Sequence, residues 1–148
     1  QDVLNAYNQG KESTLVLPTA EQWEAACRTG TSNRAYHFTE HRDAEGEQAT
    51  ADSGKQVQVP AQEMLARFAH LHETRSLNEI GPFPVATREA DSIGLFDMHG
   101  NVWEFCADGS IRGGSWHDAA LQARTANSHS IDPHLPHPAV GCRLLLRP

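Results

Sequence analysis

The apolar positions of this chain come in short bursts, and each burst carries its own period. DVLNAYN, residues 2–8, reads as the end of a helix with Gly10 behind it. STLVLP reads as a short strand stopped by Pro18. In TAEQWEAACRTG, Trp23, Ala26 and Cys27 fall three and four apart on one helical face. Thr19 and Gln22 form a capping box at its start, and Gly30 supplies the stop. Residues 31–60 are polar and aperiodic around HRDAEGEQATADSGK, which predicts a long surface loop. Helical spacing returns in AQEMLARFAHLHE at Met64, Leu65, Phe68, Ala69 and Leu71, with His70 and His72 structural or solvent-facing. Beyond Gly81 the pattern changes to short strands and turns: FPVAT, GLFDMHGNVWEFCAD, SIRGGSW and AVGCRLLL. The last is a short β-type run suited to a buried strand. This order predicts an α+β fold with two early helices, a twisted antiparallel sheet and much loop.

Composition narrows the class. A chain of 148 residues predicts one domain over 1–148, long enough to bury a core without staples. The net charge of -7 argues against a nucleic-acid partner, since nothing here neutralises a row of phosphates. No apolar run approaches the roughly 18 residues of a membrane span, and no signal peptide is visible. Gln1 stands where a Met would begin a translated chain, which predicts processing or excision from a longer polypeptide. Cys27, Cys106 and Cys142 are far apart and make no CxxC or CxxH spacing, so a zinc knuckle is not expected. Their odd number favours buried thiols in a reducing, cytoplasmic compartment.

Three stretches together are specific. LPTAEQWEAACR, GLFDMHGNVWEFCAD, and IRGGSW followed by VGCR resemble, in that order, the motifs of the formylglycine-generating enzyme (sulfatase-modifying factor) family. The resemblance implies a C-type lectin-like fold, and it implies that the chain is the C-terminal part of a longer protein. It also implies that Trp103 and Trp116 anchor a loop-rich core, that Gly113 and Gly114 allow close backbone approach, that Gly141 makes a turn, and that Arg143 pins carbonyls or a carboxylate. Cys142 stands where the family has Phe, as a buried apolar residue. Members that oxidise a substrate cysteine hold copper with two cysteines just after the GGS motif, a soft thiolate pair that suits Cu(I). Here that stretch is HDAALQARTAN, with no cysteine, so neither copper nor the oxidase activity is expected. The iron-binding histidine motif of ergothioneine-type relatives is absent too. The family also implies a calcium site at Asp97, Gly100, Val102 and Glu104, two carboxylates and two carbonyls being hard donors for that ion. A second family calcium site is not expected, because His70 stands where its Asn would be.

The stretch after Trp116 poses the remaining question, because His117, His129, His134 and His137 could suggest a metal site. Pro133, Pro136 and Pro138 forbid a helix that would align the last two, so DPHLPHP reads as an extended or turn-rich loop. Residues 117–140 contain no Glu, Lys, Met or Trp and one Gln, whereas 25 of the first 116 residues are of these types. None of the five is reachable by mutating the adenines of an asparagine codon. That bias resembles the variable proteins of diversity-generating retroelements, a branch of the same fold. The resemblance implies a framework of Trp116, Ala120, Ala123, Arg124, Ala126, Asn127, Pro133, Val140, Gly141 and Arg143. The diversified positions would be His117, Asp118, Ala119, Leu121, His129, Ser130, Ile131, His134, Leu135, His137, Pro138 and Ala139. The expected function is non-catalytic ligand binding, with a protein as the ligand, on a surface exposed at those positions. Two alternatives stay open: an ordinary non-catalytic family member with a Pro-rich surface loop, and an oxidase of the formylglycine-generating type.

Overall fold

The computed structural model describes residues 2–30, 34–39, 59–76 and 78–148. Most of the 31–60 stretch read as a surface loop lies outside the described residues. The part that is described departs from that reading, since Ala35, Tyr36 and Thr39 are buried.

Helix α1, Asp2–Asn8, leads through Gly10 into strand β1, Thr14–Val16. The Asn8 side chain clamps β1, donating to the Leu15 carbonyl at 2.8 Å and accepting its N–H at 2.7 Å. Helix α2, Ala20–Cys27, starts at the expected capping box: Thr19 Oγ1 accepts the Gln22 N–H and Gln22 Oε1 accepts the Thr19 N–H. It stops where Thr29 and Gly30 both take positive φ. Helix α3, Gln62–Phe68, is shorter than its apolar spacing predicts, because Ala69 is already extended. Leu71 still reaches the core, but from irregular backbone, and His70 bridges to Gly100.

The sheet is built late, around β2, Trp103–Phe105. Strand β3, Ser110–Arg112, pairs antiparallel with β2, and β4, Ser128–Ser130, pairs antiparallel with β3. Between β3 and β4 a 3₁₀ turn at Ala120–Ala123 buries both of its end alanines. Strand β5, Val140–Cys142, joins the other side of β2 in parallel, so the sheet is mixed. A parallel pair requires a crossover, and the whole segment from Cys106 to Ala139 serves as one. AVGCRLLL is therefore two strands. Its second half, β6, Leu145–Arg147, leaves the main sheet to pair antiparallel with β1. Neither strand is buried, because both lie at sheet margins. FPVAT forms turns instead of a strand, as Pro84 removes a ladder donor and Ala86 takes positive φ.

Two apolar clusters form the core. One holds Tyr36, Leu65, Ala69, Leu71, Ala120 and Ala123 among its buried residues, and the other holds Trp23, Cys27, Met98 and Cys106. His99, fully buried, touches both: its ring lies 5.4 Å from that of Tyr36 and its Nε2 3.5 Å from the Cys27 sulfur. The glycine pair after β3 is needed at this junction. A Cβ on Gly114 would stand 2.9 Å from that of Ala123, and one on Gly113 would meet the Trp23 ring at 3.1 Å.

Candidate functional site

The period of two along the sheet sorts its side chains onto two faces. Glu104 and Arg112 meet α2: Arg112 pairs with Glu24 at 3.0 Å, and Glu104 accepts the Trp23 indole N–H at 2.6 Å. Trp103, Ile111 and His129 line the opposite face, where a cleft of about 610 Å³ opens. His129 stands edge-on to the Trp103 ring, with centroids 5.0 Å apart. Ser115, Trp116, Gln122 and Val140 complete the part of the cleft that lies outside the candidate diversified positions.

Eight of the twelve candidate diversified positions line this cleft. They come from three segments: the turn after Trp116, strand β4 with Ile131, and the end of the Pro-rich loop before β5. Ala119, Leu121, His134 and Leu135 are exposed but lie outside it. Three positions depart from the expectation of free surface side chains: Ile131, which is half-buried, Ala139 and Asp118. Ala139 is only 6% exposed, because its carbonyl accepts the Trp103 N–H where β5 joins β2. Asp118 is half-buried, and its carboxylate accepts from the Trp103 indole N–H, the Ser115 N–H and the Ser115 hydroxyl. Among the described residues, no group of three or more His, Cys, Asp or Glu is placed to hold a metal ion. The tail histidines thus do not gather into a ligand cluster. Sequence reasoning missed Trp103, Ile111, Ser115 and Gln122 as cleft residues. Strand alternation pointed to the first two, but which face would lie open was not visible.

The expected calcium residues share a second hollow, of about 350 Å³, which Asp97, Gly100, Val102 and Glu104 all line. Asp97 sits at φ 58° and accepts the Ala86 N–H through Oδ2 at 2.8 Å. Its Oδ1 is buried with no hydrogen-bond partner among the described residues. That unpartnered anionic oxygen fits a hard cation. Arg143 lines the same hollow and donates to Glu104 at 2.8 and 2.9 Å, and the Trp23 indole N–H donates to Glu104 as well. Arg143 also donates to the Phe96 carbonyl, so it pins a carboxylate and a carbonyl as expected. Gly141 makes no turn but lies in β5, where a Cβ would meet Val102 at 3.2 Å. Cys142 is exposed, against the expectation of a buried substitute for Phe, because β5 turns this side chain out toward the hollow. His70 is buried, stacked on Phe83 at 4.1 Å and bonded to Thr87.

Cys27 and Cys106 are buried in the second apolar cluster. Burial pushes the Cys27 thiol up to about 12, so its thiolate is suppressed at neutral pH. His99 is the opposite case: burial first, and the neighbouring His37 second, hold it down at about 3. Its Nδ1 donates to the Ala123 carbonyl at 2.7 Å, which leaves Nε2 to accept the His37 N–H. The cysteine–histidine contact is therefore a neutral packing contact, not an activated nucleophile.

Scaffold and cleft together define a C-type lectin-like α+β domain with a cleft on one face of its sheet. The sulfatase-modifying factor enzyme 1-like domain matches residues 5–148, and the chain belongs to that family. It is 29% identical over 131 residues to the formylglycine-generating enzyme of Streptomyces coelicolor, covering 88% of this chain and 34% of that protein. The formylglycine-generating enzyme of Thermomonospora curvata is 28% identical over 120 residues, covering 81% and 33%. The chain thus spans about a third of the length of these curated relatives. Among solved structures, Treponema denticola variable protein 1 superposes with a TM-score of 0.67 at 22% identity, over 92% of this chain and 49% of that one. PvdO from Pseudomonas aeruginosa superposes at 0.69 with 18% identity, over 99% and 57%. At these identities the likeness is one of fold.

Proposed function

We propose that the chain is a non-catalytic ligand-binding domain whose residues 117–139 are a diversified surface, as in the variable proteins of diversity-generating retroelements. One observation carries this reading: eight of twelve positions chosen from residue composition and motif spacing converge from three segments on one cleft. An ordinary family domain with an unconstrained loop gives no reason for that convergence. An aromatic floor under a rim of His, Ser, Ile and Pro suits a protein ligand, since rigid aromatics and adaptable polar groups dominate variable binding surfaces. A calcium ion held by Asp97, the Gly100 and Val102 carbonyls and Glu104 would brace the loop leading into β2, beneath this face.

The decisive experiment is to sequence the DNA beside the gene. A nearby near-copy of the 3′ end, rich in AAC or AAT codons, with a reverse transcriptase gene, is the expected result. Absence of both in the complete genome overturns the diversified reading. The non-catalytic half is tested separately, by incubating the protein with copper and a CxPxR peptide. The peptide thiol should remain unchanged; stoichiometric aldehyde would establish an oxidase instead.

A further inference from the structure

We propose that Asp118 is a fixed positioning residue of the cleft, locking its tryptophan floor, and not one of the variable side chains. The inference rests on the diversified-surface reading for the word "variable", but the geometry stands apart from it. A single carboxylate oxygen, Asp118 Oδ2, collects the Trp103 indole N–H at 2.8 Å, the Ser115 backbone N–H at 3.0 Å and the Ser115 hydroxyl. The main chain of the same residue is engaged as well. Its N–H donates to the Ser115 carbonyl and its carbonyl accepts the His72 N–H, both at 3.0 Å. Asp118 therefore ties together β2, the turn after the glycine pair and the segment following α3. Its neighbours are different: His117 and Ala119 are exposed and bear none of these ties through their side chains to Trp103.

The consequence for recognition follows from Trp103. This indole is 7% exposed and forms part of the cleft floor, and His129 meets it edge-on. Any ligand read by position 129 is read against an indole whose rotation Asp118 fixes. Removing the carboxylate leaves two N–H donors near the floor without an acceptor, which is costly when they are shielded from water. Asn alone among the other side chains keeps an acceptor of the same reach, so position 118 should be held to Asp or Asn while 117, 129, 131 and 137 vary.

Two measurements test this. The chain has three tryptophans, so ¹⁵N spectra show three indole N–H signals that Trp→Phe variants assign. In Asp118→Ala the Trp103 signal should move upfield, and its exchange with water should quicken about tenfold or more, as loss of a charge-assisted bond implies. Asp118→Asn should shift the same signal part of the way, and it keeps the proposal testable if the Ala variant does not fold. Asp132→Ala, an exposed acid on the Pro-rich loop after β4, should leave all three signals in place. An unmoved Trp103 signal in the Asn variant and in a folded Ala variant overturns the positioning role. The second measurement sequences sister copies of the gene. Variation at 117, 129, 131 and 137 with Asp or Asn at 118 supports the proposal. Unrestricted side chains at 118 overturn it while leaving diversification intact. No variation at any of these positions overturns diversification, and the Trp103 signal alone then decides whether Asp118 positions the floor.

Discussion

His99 shows how far one buried side chain can couple this fold to pH. It sits neutral between the two apolar clusters, with its pKa held at about 3 against an ordinary 6.5. A depressed histidine contributes stability that is fully present above the unfolded value and is lost as pH falls toward the folded one. The vulnerable window is therefore pH 6.5 down to 3, and the loss over the first 1.5 units should be about 2 kcal/mol. Urea unfolding at pH 7 and pH 5 checks this. An unchanged midpoint would mean that His99 is hydrated or charged in the fold. Asp97 makes the second prediction at this scale. If its unpartnered Oδ1 holds calcium, a chelator should lower the melting temperature by several degrees, because a bound ion stabilises the folded state by mass action. Asp97→Ala should remove that response. A melting curve indifferent to chelator, with no calcium by elemental analysis, would leave Asp97 a turn residue only.

At the scale of elements, short pieces survive through local devices more than through length. Helix α2 has eight residues, too few to persist alone, and depends on its capping box and on Trp23 and Cys27 facing the core. Thr19→Ala should cost about 1 kcal/mol in thermal or urea unfolding, the usual worth of an N-cap. The glycine pair after β3 is less tolerant. Gly114 has φ 77° and no room for a methyl group beside Ala123, so Gly114→Ala should destabilise more than the cap variant does. Equal costs, measured side by side, would mean that the 3₁₀ turn can move away from β3.

For the whole molecule, the division between scaffold and display is the quantity to test. Replacing His117, Leu121, His129, His134 and His137 together by Ser removes five exposed side chains, and exposed changes are individually worth within about 0.5 kcal/mol. The melting temperature should barely move, while any ligand bound in the cleft should be lost. Trp103→Ala, by contrast, removes a buried indole and should cost about 3–5 kcal/mol. Trp116 is half-exposed, so its truncation should cost less than that of Trp103. If the five-fold variant unfolds while Trp103→Ala does not, the assignment of scaffold and surface is reversed.

The sequence by itself determined the elements whose causes are local. Thr19 and Gln22 cap α2 because the box closes within four residues, and Gly10, Gly30, Gly113 and Gly114 mark places where the chain needs positive φ. Motif order was enough to indicate the family and the C-type lectin-like scaffold, and residue composition set the tail apart from the rest of the chain. Tertiary structure decided what depends on contacts distant in sequence. It split AVGCRLLL between two sheets, because β2 and β1 each offered an unpaired edge. It also ended α3 early so that His70 could bridge to Gly100, and it drew Tyr36 out of a polar stretch into the core. It turned Cys142 outward and Asp118 inward, beside partners distant along the chain: Phe105 pairs with Cys142 across the sheet, and the Trp103 indole bonds Asp118. Pattern along a chain reports how polar a segment is; which of its side chains meets a partner is settled only when the sheet closes.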